Sequence, residues 1–323
     1  MPRRLQVEGL QAELSAVSAL LDEAVRMDDP MSEYQFTHRK QLVERQLQEL
    51  LQVPENKASV ALFFGGKPVI GSRGISAEFA GKMLEQFQEL VARSFAISEL
   101  GLLGERGRIP MRDSSSLMVT QVAKGSFGFV LDELTDQAEM GDTALKSMIE
   151  EVTTVIERTA SPNDLEFEEA AESLDARMLI ALKDFFITLD TAEATVRVVD
   201  DVADFSLDSL SIHRARTRTE ATSIDESDYD LDGKLVGFLP DHKKFELRTP
   251  SSEVIYGSVS REAADQYVDL LSNGLTLINR DLRIKVRKRI VQPLNRPPRE
   301  VYRLMAFISP PQLVGQSTSS LLP

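Results

Sequence analysis

Apolar residues fall on two different periods along this chain, and the change of period divides it. From Pro2 to about Arg26, Leu10, Leu14, Val17, Leu21 and Ala24 recur at alternating steps of four and three, a heptad-like seam that predicts a helix. Asp28-Asp29-Pro30 breaks it. Phe36, Leu42, Val43, Leu47, Leu50 and Leu51 predict a second helix, stopped at Val53-Pro54 because proline disfavours helical backbone in the residue before it. Residues 1–53 therefore read as an antiparallel helical hairpin. It is either an oligomerisation arm, with Leu10, Leu14, Val17 and Leu21 as its contact residues, or two helices packed on their own domain.

Residues 54–200 read as a central α+β domain. Val60, Leu62, Phe63 and Phe64 predict a buried strand, Gly65-Gly66 a tight turn and Lys67 to Ile70 a short return strand, together a hairpin. Phe79, Met83, Leu84, Phe87, Leu90, Val91 and Phe95 then recur at helical spacing, with Ser76 as the expected N-cap. Leu117 to Val122 and Phe127 to Leu131 predict a second hairpin around Lys124-Gly125-Ser126 and hence a mainly antiparallel sheet. A helix capped by Asp142 follows, with Leu145, Met148, Ile149, Val152, Val155 and Ile156 on its face. Another starts at Asn163-Asp164 and lines up Ala171, Leu174, Met178, Leu182, Phe185 and Leu189. Thr195 to Val199 predicts a strand.

Residues 201–232 mix charges with Thr and Ser at weak periodicity and read as an acidic linker region. From Gly233 the period shortens. Strands are expected at Lys234 to Leu239, Lys243 to Arg248 and Val254 to Val259, then a helix from Ser260 to Leu271 ended by Asn273-Gly274. Leu282, Ile284 and Val286 alternate with Arg283, Lys285 and Arg287 as a fourth strand, and Val301 to Ile308 gives a fifth. Three strands, a helix and two strands is the element order of an OB-type barrel, although an SH3-like barrel or an α+β sheet shares it. Residues 233–308 are thus a small β-rich domain with Phe238, Phe245 and Tyr256 expected in its core, and 309–323 a disordered tail. The fold class is α+β.

Composition narrows the chemistry. The 323 residues contain no cysteine, which excludes disulfides, thiolate metal sites and cysteine nucleophiles. No apolar run reaches the length of a membrane span and the first residues lack the core of a signal peptide, so a cytoplasmic protein without membrane contact is expected. With 51 acids against 37 bases the net charge is -14, which repels nucleic acid unless the cations are gathered locally.

Familiar motifs are incomplete. Gly66 to Ser72 spells G-x-x-x-x-G-S but lacks the lysine that neutralises phosphates in a nucleotide-binding loop. Asp228-Tyr229-Asp230-Leu231-Asp232-Gly233 matches the first half of a calcium loop, yet Leu239 stands where the bidentate Glu is required. Asp200, Asp201, Asp204 and Asp208 have the oxygen chemistry for magnesium, but a charged exposed segment is the commoner meaning. His38, His213 and His242 lie too far apart in sequence to form a ligand pair. No cofactor, metal or small-molecule ligand is implied. The long loop from Gly101 to Ser116 offers Arg106, Arg108 and Arg112 as contact candidates.

The sharpest charge feature lies between 280 and 303, where Arg280, Arg283, Lys285, Arg287, Lys288, Arg289, Arg296, Arg299 and Arg303 meet only Asp281 and Glu300. This strip docks an acidic protein face, within the chain or across a dimer, or it binds nucleic acid, or it is a plain solvated strand. The leading expectation is a non-catalytic adaptor or subunit that works through protein contacts, as a homo-oligomer or in a complex. The alternative is a nucleic-acid-binding accessory protein using the strip. An enzyme with an unfamiliar site ranks third.

Overall fold

The computed structural model describes residues 1–52, 56–100, 108–123, 127–134, 142–240, 242–292 and 297–309. Val53-Pro54, the turn at 124–126, Arg106, Arg296 and the segment 310–323 lie outside them. Two compact units are present, one of Met1–Phe95, Ile109–Ala170 and Ile180–Thr219, the other of Ala96–Arg108, Ala171–Leu179 and Glu220–Pro323.

The first unit begins with helices α1 (Arg3–Arg26) and α2 (Pro30–Gln52), packed along one another as an antiparallel pair. Asp28 takes a left-handed φ of 53° at the turn, and the Asp29 carboxylate accepts the backbone N–H groups of Met31 and Ser32, capping α2. A five-stranded antiparallel sheet follows, made of β1 (Ser59–Gly66), β4 (Met118–Ala123), β5 (Phe127–Asp132), β6 (Ala194–Val199) and β7 (Asp204–Leu207) in the order β4-β5-β1-β6-β7. The expected hairpin at β1 does not form. β2 (Val69–Ile70) pairs with β3 (Gly74–Ile75) instead, and β1 pairs with β5 and β6. Val60 to Leu62 are buried, so both faces and both edges of this strand are covered by apolar neighbours, which a two-residue return strand cannot provide.

Helix α3 (Ala77–Leu100) buries Phe79, Met83, Phe87, Leu90, Val91 and Phe95, as its periodicity predicts, and the Ser76 hydroxyl accepts the Phe79 N–H at 3.4 Å. Helix α4 (Ala144–Ala160) is capped by Thr143 and not by Asp142, since the threonine oxygen sits where the Lys146 N–H is free. The single helix expected after Asn163 is two, α5 (Asp164–Ser173) and α6 (Ala176–Thr191), because the Asp175 carboxylate takes the Met178 N–H and starts a new helix.

Residues 201–232 are not an unstructured connection. They contain β7, helix α7 (Ser209–Ala221) and the first ten residues of β8 (Ser223–Leu239). In the second unit β8 joins β9 (Lys244–Arg248), β10 (Val254–Val259), β11 (Asp281–Gln292) and β12 (Arg299–Ser309) in a closed barrel ordered β10-β12-β11-β8-β9. Helix α8 (Arg261–Ser272), capped by Ser260, lies between β10 and β11 in sequence. Only β10 and β12 run parallel. Leu235, Phe238, Phe245, Leu247, Ile284, Val286 and Leu304 fill the interior, with Phe238 stacked on Tyr267 of α8 at 3.9 Å between ring centres. Among the described residues no helix is long and apolar enough to cross a membrane.

Candidate functional site

The basic strip is a strand with a partner. β11 lies antiparallel to β8, and the register sets Arg283 opposite Asp232, Lys285 opposite Asp230, Arg287 opposite Asp228 and Arg289 opposite Glu226. Residues at every second position share a face. Four cations and four carboxylates therefore face one another in a ladder, and the acidic stretch taken as a linker is the complement of the basic one. Arg287 donates to Asp228 through two nitrogens, the Nη2 bond being 2.8 Å, and lies 3.8 Å from Glu226. That bond holds the Asp228 carboxyl below its ordinary pKa and raises that of Arg287. Arg283 is 3.5 Å from Asp230 and 3.9 Å from Asp232.

Toward the end of the ladder the face becomes buried. Arg289 is only 3% exposed, and its guanidinium donates to the Leu174 carbonyl. Burial lowers its pKa and raises that of Glu226. On neighbouring positions Lys288 pairs with Glu300 and lies over the Tyr302 ring, while Arg299 reaches Glu172 at 2.7 Å. Arg280 is exposed at the head of β11. The residues of the strip are thus brought together, but most of their charge is answered within the same unit.

The calcium-loop reading fails for the same reason. Asp228, Asp230 and Asp232 belong to an extended strand facing cations, whereas an ion needs a loop curled around it. The four aspartates considered for magnesium are already committed. Asp200 accepts the N–H groups of Val202 and Ala203 and the Thr153 hydroxyl; Asp201 accepts the Arg3 N–H; Asp204 pairs with Arg197; Asp208 caps α7 through Ser211. Among the described residues no group of three or more His, Asp or Glu side chains is placed to hold a metal ion. Gly66 has a φ of 83° and lies against the Glu193 carbonyl, so the G-x-x-x-x-G-S stretch leaves β1 beside β6 and does not wrap a phosphate. Arg108 and Arg112 are exposed, the latter in a short 3-10 helix, Arg112–Ser115.

On the helical hairpin the apolar seam is only partly closed. Val17 is buried, while Leu10, Leu14 and Leu21 keep part of their surface in water, as do Phe36, Leu42, Leu47 and Leu50 of α2. At the turn Val25, Met27, Met31 and Tyr34 are exposed. At the opposite end a groove of about 740 Å³ runs between the helices over Leu5, Leu10 and Leu50, with Glu13 and Glu49 on its rim.

Tyr256 overturns its expected place in the core. It stands outside the barrel, 78% exposed, because Ile255 and Val259 take the inward positions of β10. The sequence Val-Ile-Tyr-Gly-Ser-Val does not select the face, since apolar Val254 shares the side of Tyr256. No family model matches the chain, and no curated protein does either.

Proposed function

We propose that this protein is a non-catalytic subunit that assembles through its helical hairpin with a second copy of itself. The carrying observation is the imbalance of α1 and α2. Helices of 24 and 23 residues bury only Val17, Ala24 and Val43, yet the hairpin leaves Leu20, Val25, Met31, Tyr34 and Leu51 of the helices and Met27 of the turn exposed. A helix pair with an apolar seam on its open side is completed by a second pair, as in a four-helix bundle. A monomer gains nothing from an apolar tip.

Polarity and charge fit one arrangement. Arg39 pairs with Glu13, which sets the levels of the two helices, so Asp22 and Glu23 sit near the tip while Lys40 and Arg45 sit nearer the base. A two-fold axis that turns one hairpin end for end lays each apolar tip on the other copy's groove and brings Asp22 and Glu23 toward Lys40 and Arg45, while Glu13 on the groove rim is already paired with Arg39. We read the C-terminal barrel as OB-type, on its strand order and on the single parallel pair between its third and fifth strands.

Light scattering coupled to size exclusion tests the assembly. The expected mass is about 72 kDa, twice the 36.0 kDa of one chain, falling to one chain in Met27→Asp/Met31→Asp with an unchanged melting temperature. Both methionines are exposed, so the variant separates assembly from folding. A wild type that stays at the mass of one chain at about 100 μM refutes the reading, since a dimer that weak binds by less than ~6 kcal/mol.

A further inference from the structure

We infer that the outer face of β8, β9 and β10 is a binding platform for single-stranded nucleic acid, with Tyr256 as the ring on which a base stacks. Ion pairing divides the cations of the barrel. Cations on the β8–β11 side of the barrel face carboxylates: Arg283, Arg287, Lys288 and Arg299 all make ion pairs. Around Tyr256 the pattern reverses. Lys243, Lys244 and Arg248 are exposed and make no ion pair among the described residues; Lys234, also exposed and without an ion pair, lies opposite Asp281 across the β8–β11 register.

The register arranges these groups around the ring. Tyr256 lies opposite Glu246, and Glu246 lies opposite Gly237, so the row on β8 beside the ring carries no side chain. Two residues along the ladder in one direction are Val254, Arg248 and Lys234; two in the other are Ser258, Lys244 and Leu239. Diagonal neighbours in an antiparallel pair are about 7–8 Å apart, which sets Arg248 and Lys244 to either side of the ring. The result is a shallow floor with a 78% exposed aromatic at its centre, cations on both flanks and two carboxylates, Glu246 opposite the ring and Asp281 opposite Lys234.

An exposed ring between cations fits a ligand that repeats planar apolar groups along a polyanion. Stacking on an aromatic is tolerant of base identity, and flanking cations track the backbone. A duplex hides its base faces and offers the ring nothing. An acidic protein segment would use the cations but not the exposed face of Tyr256.

Fluorescence anisotropy of the full-length protein with labelled dT15 at about 25 mM salt tests this. Binding is expected, with a salt slope near −2 for three phosphate contacts at about −0.7 each. Tyr256→Ala should weaken it about 5- to 150-fold, the range for one stacked base. Lys244→Gln/Arg248→Gln should flatten the slope by about 1.4. Arg283→Gln/Lys285→Gln, on the β11 face, should leave the slope unchanged. All these side chains are exposed, and a melting curve for each variant checks that the barrel is folded. The proposal is overturned by no binding at low salt, by a Tyr256→Ala variant of wild-type affinity, by a 15-base-pair duplex bound as tightly as dT15, or by loss of binding in the β11 variant.

Discussion

If the basic strip is one side of a charge ladder, Arg287 and Asp228 must be energetically coupled, and a double-mutant cycle of Arg287→Gln, Asp228→Asn and the pair measures that coupling. The structure sets the size. Exposed ion pairs yield about 0.2–1 kcal/mol, and breaking a fully buried one costs about 3–5 kcal/mol. Here the side chains are 17% and 34% exposed and the contact is bidentate, so a coupling of about 1–2 kcal/mol is expected. The single variants should be unequal. Arg287→Gln leaves both Asp228 and Glu226 without that guanidinium, whereas Asp228→Asn leaves Arg287 with Glu226 at 3.8 Å, so the arginine variant should be the less stable. Urea denaturation followed by far-UV circular dichroism reads all four proteins. Because the Asp228 pKa is depressed in the folded chain, its contribution is present above the ordinary carboxylate pKa of about 3.9 and is lost as pH falls through the lower folded value. The coupling should thus be constant from pH 5 to 7, vanish in acid and shrink in 1 M salt. Additivity within about 0.3 kcal/mol at pH 7 would refute the ladder as an energetic unit.

Two further outcomes follow from packing. Asp200→Ala removes a buried carboxylate that accepts two N–H groups and the Thr153 hydroxyl, and should cost about 3 kcal/mol in urea titration, while about 5 mM magnesium should leave the wild-type melting temperature within ~1 °C. At Gly257 an added Cβ would sit 2.0 Å from the Tyr302 carbonyl oxygen in the parallel strand, so Gly257→Ala should destabilise the barrel by about 3 kcal/mol. Gly237→Ala, with its nearest contact at 3.7 Å, should stay within about 1 kcal/mol, and equal effects at the two glycines would contradict the packing described.

What the sequence disclosed was local. The helical period placed α3 with its buried face, and alternation gives β9 and β11 theirs, because each pattern reflects which side of one element meets the core. Pairing across distance was hidden. β1 takes partners from 127–132 and 194–199, and nothing in Val60 to Phe64 distinguishes those from a nearer strand. The break between α5 and α6 was missed because Ala171, Leu174 and Met178 keep helical spacing across it, while the cap at Asp175 interrupts only the backbone. For Tyr256 the sequence is silent: Val254 and Tyr256 make one side of β10 as apolar as Ile255 and Val259 make the other.

The acidic region and the basic strip are both visible in the sequence, and docking of the strip on acids within the chain is among its readings, but neither run taken singly says which acids it meets. Glu226, Asp228, Asp230 and Asp232 step by two, as do Arg283, Lys285, Arg287 and Arg289, and two such runs of opposite sign are complementary when antiparallel. Net charge conceals this, since a ladder that cancels internally contributes nothing to the −14 of the whole chain. A cation block therefore says little about ligands until its partners have been subtracted. Subtraction changes the answer here: Arg283, Arg287 and Lys288 of the densest block are spent on β8 and β12, and the exposed cations without an ion pair among the described residues include, besides Arg280 and Lys285, the sparser ones around Tyr256. In a chain this acidic a distant anion is repelled by the protein as a whole, so attraction has to act within about a Debye length, ~8–10 Å, of the platform itself. That favours a ligand gripped by close contact, through a ring and two flanking cations, over one steered from afar.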